Sequence, residues 1–134
     1  MAAQNLTLEP DWSVFDPKPP PPPEPRWEKW ARLHWKTVKS RAAKKGLPFE
    51  ITQASLVRMV KKCDGKCQLT GIPFSEKNPT KAFRRPWMPS VDRINNRKGY
   101  VRGNCRIVCV AVNQAMGQFG EDALYRIARA LTAQ

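Results

Sequence analysis

The chain has 134 residues and a formal charge of +13 at neutral pH, which suits one compact domain with a tail and a polyanionic partner, nucleic acid ahead of an anionic membrane. No apolar run approaches the length of a membrane span, the longest being "IVCVAV". The opening "MAAQNLTLEP" has neither the basic start nor the apolar stretch of a secretory signal, so a cytoplasmic protein with reduced thiols is expected.

Residues 1–16 hold Glu9, Asp11 and Asp16 and no base, so the rest of the chain carries +16. "DPKPPPPPEP" follows. A proline run excludes helix and central strand and favours a semi-rigid polyproline II spacer. A ligand for a proline-binding module is the weaker alternative. Residues 1–25 thus read as an acidic, then proline-rich, flexible tail, and 26–134 as the nucleic-acid-binding domain. Trp12 and Phe15 suit the acidic segment to folding back on the domain or docking a protein partner through residues 1–24.

"PRWEKWARLHWKTVKSRAAKKG" predicts a helix, with Pro25 in its first turn and Gly46 at its end. Trp27, Trp30, Ala31, Trp35, Val38 and Ala42 fall on one arc, which predicts core. Lys29, Arg32, Lys36 and Lys39 fall opposite, either as a stripe for a phosphate backbone or as a solvated face. His34, the single histidine, lies on the apolar arc and is expected to pack rather than react.

Thr52 can cap a second helix, "QASLVRMVKK", with Leu56, Met59 and Val60 on its apolar face. "CDGKCQLTG" predicts turns at Asp64-Gly65 and at Gly71. Residues 72–90 read as an irregular loop. In it Arg84 and Arg85 stand near Trp87, which is either a nucleic-acid contact or a core plug. "PSVDRI" predicts a strand, "NNRKGYVRGN" a connection, "CRIVC" a strand and "VAVNQAMGQ" a short helix. "GEDALYRIARALTAQ" predicts a last helix, acids first and arginines later as its dipole prefers. Leu124, Ile127, Ala128 and Leu131 are expected to form its core stripe.

Cys63 and Cys67 are spaced C-x3-C, as are Cys105 and Cys109. Zinc knuckles more often use C-x2-C, so four buried thiols are expected ahead of a zinc site. Disulfides are disfavoured in a reducing compartment.

Strand, connection, strand, helix makes a compact ββα unit at about 88–117. It brings the end of the first strand beside the helix, so Asp92 and Asn113 can offer two oxygens to one hard cation, Mg²⁺ or Mn²⁺. Such an ion can bridge a scissile phosphate and lower the pKa of water. Arg93, Arg97, Lys98, Arg102 and Arg106 surround it as a grip for the backbone. The plain structural alternative for Asp92 is an ion pair with Arg93 or Arg97.

"CQLTGIPF…PSVDRINNRKGYVRGNCRIVCVAVNQAMG" resembles the HNH endonuclease family, the ββα-metal nucleases, in its phage and bacterial branch. The resemblance covers about 63–120. It implies an α+β, mainly helical fold with a ββα-metal core, flanking helices and the N-terminal tail. It also implies a metal-dependent endonuclease in a phage or bacterial cell, nicking DNA or preferring a DNA structure, with DNA ahead of RNA. By position, Asp92 matches the metal-binding Asp, Asn104 the Asn that braces the metal loop, and Asn113 the ligand on the helix. Arg93 stands where that family has its general-base His. Arginine stays protonated and cannot accept a proton from water, though it can clamp a phosphate. Three readings stay open: another base (Tyr100, His34 or hydroxide on the metal), assistance from the substrate phosphate, or a nuclease-derived protein that only binds nucleic acid or inhibits a partner.

Overall fold

A computed structural model of the chain describes Trp12, Pro22 and residues 24–134. The expected acidic and proline-rich tail lies almost wholly outside the described residues. In chain order the elements are α1 (Arg26–Lys44), α2 (Gln53–Lys62), β1 (Pro89–Arg93), β2 (Cys105–Cys109), α3 (Val110–Met116) and α4 (Gly120–Thr132). This is a small α+β architecture. No helix among the described residues is long and apolar enough to cross a membrane.

α1 starts at Pro25, whose carbonyl accepts from Lys29 N at 2.9 Å, and it stops at Gly46, which takes a left-handed φ of 64°. Its apolar arc faces inward. Ala31, Val38 and Ala42 are buried, and Trp27, Trp30 and Trp35 pack around them. Trp35 donates its indole N–H to the Ile51 carbonyl at 2.7 Å, which ties α1 to the chain entering α2. α2 carries a capping box: Thr52 Oγ1 accepts from Ser55 N, and Ser55 Oγ accepts from Thr52 N. Its Leu56 and Val60 meet Val38 and Ile107 in one core. Each such side chain contributes roughly 1.5–3 kcal/mol on leaving water.

β1 and β2 pair antiparallel, with Val91 opposite Ile107 and Asp92 opposite Arg106. Two strands alone are marginal in water. Here Gln68 completes the free side of β2: its backbone N–H donates to the Ile107 carbonyl at 3.0 Å, and its side-chain oxygen accepts from Ile107 N. The long β1–β2 connection is docked on the α1–α2 link. Tyr100 N donates to the Pro48 carbonyl at 2.9 Å, and Glu50 N donates to the Tyr100 carbonyl at 2.8 Å. Gly99 lies so close that a Cβ there would stand 2.2 Å from the Pro48 carbonyl oxygen. α3 follows β2 without a loop and packs across both strands.

Two expectations need correction. The α4 stripe is not core: Ile127 is 52% and Leu131 66% exposed, Ala128 is exposed, and only Leu124 is half-buried. Periodicity shows that a helix has an apolar face but not that anything covers it. The strand predicted through Ile94 ends at Arg93, and Ile94 is exposed. Trp87 packs against the core.

Candidate active site

The β1–β2–α3 unit, α1 and the loop before β1 enclose an open cleft of about 490 Å³. β1 supplies Ser90, Asp92 and Arg93 to it, and α3 supplies Asn113 and Gln114. From the far side α1 supplies His34 and Arg41, its C-cap supplies Lys45, and the loop supplies Arg84.

Asp92 is buried, with 7% of its surface exposed. Register places Arg106 directly opposite, and its Nε donates to Asp92 Oδ2 at 2.8 Å. The same guanidinium donates to Glu121 Oε2 at 2.7 Å and meets Met116 Sδ at 3.5 Å. Burial opposes the Arg106 charge, but the hydrogen bonds to Glu121 and Asp92 prevail and raise its pKa. That bond to Arg106 holds the Glu121 carboxyl below its usual range. Asp92 therefore pairs with Arg106, not with Arg93 or Arg97. Arg106 is spent inside the fold and is removed from the expected phosphate grip.

Asn113 Nδ2 donates to Ser90 Oγ at 3.1 Å, and Ser90 Oγ donates to the Val108 carbonyl at 3.0 Å. This relay fixes the amide, and its oxygen is the acceptor that remains for a ligand. Asn104 is buried and bonds within the β1–β2 connection. Its Nδ2 donates to the carbonyls of Asn95 and Gly99 at 3.1 and 2.9 Å, and its Oδ1 accepts from Asn95 N at 2.9 Å.

Arg93 curls back on the same connection. Its Nη1 donates to the Asn96 carbonyl at 2.8 Å and the Lys98 carbonyl at 3.2 Å, and its guanidinium lies 5.4 Å over the Tyr100 ring. It closes the loop while keeping one face on the cleft. His34 is half-buried, stacked on Trp30 with ring centroids 4.7 Å apart. Burial, and secondarily the charge of Arg41, lower its pKa below the usual 6.5.

Several nucleic-acid candidates stand elsewhere. Arg97, Lys98 and Arg102 are exposed on the connection, and Arg85 is exposed beside Arg84, but none of the four lines the cleft. Lys29, Arg32, Lys36 and Lys39 are on the face of α1 turned away from it. There Arg32 pairs with Glu24 at 3.0 Å, and Lys39 covers the Trp35 ring. The cleft-facing cations Arg41 and Lys45 were not anticipated. Their signal is in the spacing: positions 34, 41 and 45 fall within about 40° on a helix of 100° per residue.

The chemistry of the donors fits one hard divalent cation: a carboxylate with one oxygen beyond its Arg106 bond and an amide oxygen, both lining one open cleft. No group of three or more His, Cys, Asp or Glu among the described residues is placed to hold a metal. The four cysteines do not converge. Cys67 and Cys109 meet in the core, and Cys63 lies near Cys67, its thiol pushed up to about 11 mainly by burial. Cys105 instead faces the Asp92 side, where burial and that carboxylate push its thiol up to about 11.

The fold is similar to that of an HNH endonuclease. The chain superposes on the rare-cutting HNH restriction endonuclease PacI with a TM-score of 0.58, over 73% of this chain and 72% of that one, at 17% identity. No family model matches the sequence, and no curated protein matches it.

Proposed function

We propose that the chain is a metal-dependent, HNH-like endonuclease that hydrolyses phosphodiesters of DNA, nicking it or preferring a particular DNA structure. One observation carries the reading. On an HNH-like fold, the oxygens of Asp92 and Asn113 share one cleft with the cations Arg41, Lys45, Arg84 and Arg93. Asp92 and Asn113 would hold Mg²⁺ or Mn²⁺, which supplies Lewis-acid polarisation of a phosphate and acidification of water. The four cations hold the strand on either side of the scissile phosphate. Arg93 neutralises charge on that phosphate and takes no part in proton transfer. Asn104 keeps the connection, and through it the end of β1, in one conformation.

The test is nicking of supercoiled plasmid with Mg²⁺, Mn²⁺ or chelator, for wild type, Asp92→Asn and Asn113→Ala. Asn at 92 still accepts from Arg106, so that variant removes the charge with little harm to the fold. Metal-dependent nicking by wild type, lost by about 100-fold or more in Asp92→Asn, is the expected result. Salt-sensitive DNA binding without cleavage under any metal would leave the second reading, a nuclease-derived protein that binds and does not cut. The chain's Arg93, where a proton acceptor would stand, is the feature that favours that second reading.

A further inference from the structure

Hydrolysis of a phosphodiester by water needs somewhere for the water's proton to go. The β1 wall of the cleft does not supply it. Arg93 presents a guanidinium, which donates hydrogen bonds and has no acceptor to offer a proton. Asp92 is held by Arg106 and is assigned above to the metal. Tyr100 is 4% exposed, its ring covered by the Arg93 guanidinium. Ser90 is engaged between Asn113 and the Val108 carbonyl.

The opposite wall does supply it. His34 lines the same cleft as Asp92 and Asn113. Its ring is oriented by stacking on Trp30, and α1 is anchored by the Trp35 bond to Ile51. None of the hydrogen bonds among the described residues occupies its ring nitrogens. The charged and titratable groups that line the cleft with it are Arg41 on its own helix and Lys45 at that helix's C-cap, Arg84 on the loop, Asp92 and Arg93 on β1, and Tyr100 on the connection. α3 adds no titratable group there, only amides such as Asn113 and Gln114. Cations therefore outnumber the one carboxylate around the ring, which favours a neutral imidazole with a lone pair available.

We propose that His34, carried on α1 rather than on the ββα unit, is the general base of this cleft. The proposal rests on the nuclease reading of the site. In the step it performs, a ring nitrogen takes a proton from water as the water oxygen bonds to phosphorus. The bond from phosphorus to the departing sugar oxygen breaks, and that oxygen leaves with the electron pair and takes a proton from solvent. The imidazolium then returns its proton to solvent. The sum is one water consumed per phosphodiester, giving a phosphomonoester and an alcohol.

Two measurements test it on the full chain. The first needs no variant of His34. It is the only histidine, so in ¹³C-labelled protein the signal of its ring Cε1–H stands alone. Added Mn²⁺ broadens that signal in wild type and leaves it sharp in Asp92→Asn; a signal untouched by Mn²⁺ in wild type overturns the assignment. The second is the pH profile of single-turnover nicking with Mg²⁺. His34→Gln and His34→Asn are expected to lose about 100-fold or more in rate and the acid limb of the profile, with DNA affinity within twofold of wild type. Imidazole in solution is expected to restore part of the rate to His34→Ala. If wild type nicks and His34→Gln nicks equally with the same profile, the assignment to His34 falls alone. If wild type nicks with neither metal, the nuclease reading falls and takes this one with it.

Discussion

At the scale of single residues, Arg106 explains how a carboxylate sits buried at the end of a strand in so basic a chain. The side chains of Asp92 and Arg106 are 9% and 15% exposed, and Glu121 takes the second fork of the guanidinium. A buried pair is weak evidence of net stability, but breaking one side leaves a charge stranded. Arg106→Ala is therefore expected to cost about 3 kcal/mol in urea denaturation, while Asp92→Asn, which keeps an acceptor for Nε, is expected to cost less than half as much. His34 makes a separate, pH-dependent prediction. Its folded pKa lies below 6.5 because the ring is shielded from water and faces Arg41. Above pH 6.5 both folded and unfolded chains hold it neutral. As pH falls below 6.5 the unfolded chain takes up the proton first, so stability drops until the folded value is passed. Melting temperature between pH 7.5 and 5.5 is expected to fall more steeply in wild type than in His34→Gln. Equal slopes would mean that the ring is not shielded. A cross-strand partner such as Arg106 was hidden in the sequence because register across an eleven-residue connection is set by how that connection folds, not by the local pattern.

At the scale of elements, the connection between β1 and β2 decides where the site points. Asn104 and Arg93 tie it from within, and Gly99, Tyr100 and Pro48 tie it to the α1–α2 link. Gly99 is required by proximity alone, since a Cβ would meet three backbone and ring atoms of Pro48 at 2.2–2.9 Å. Gly99→Ala must push the connection off that link. It is expected to cost at least the roughly 1–3 kcal/mol of an overpacked core and to weaken DNA binding with it. Thr52→Ala, which removes only the α2 cap, is expected to cost about 1 kcal/mol and leave binding unchanged. The pair separates loss of site geometry from loss of stability. Helix starts and stops were legible, because Pro25, Thr52 and Gly46 act through local backbone chemistry that the sequence states directly. The exposed α4 face was not, because coverage is a property of neighbours, not of the helix itself.

At the scale of the whole molecule, the charge of +13 predicts strong, salt-sensitive binding but not where the DNA lies. Helical projection alone favours the stripe of Lys29, Arg32, Lys36 and Lys39, since it is the densest run of bases on α1. The fold instead turns Arg41 and Lys45 toward Asp92 and leaves the stripe on the far side. Counterion release can tell these faces apart. Each phosphate neutralised on duplex DNA contributes about −0.9 to the slope of log K against log salt. Arg41→Ala and Lys45→Ala are each expected to reduce the slope by about that amount, and Arg84→Ala likewise. Lys29→Ala and Lys36→Ala are expected to leave it unchanged. Fluorescence anisotropy on a short duplex across a range of salt concentrations measures all five. A slope that responds to the outer stripe and ignores Arg41 and Lys45 would place the DNA across the back of α1, too far from Asp92 for the cleft to act on it.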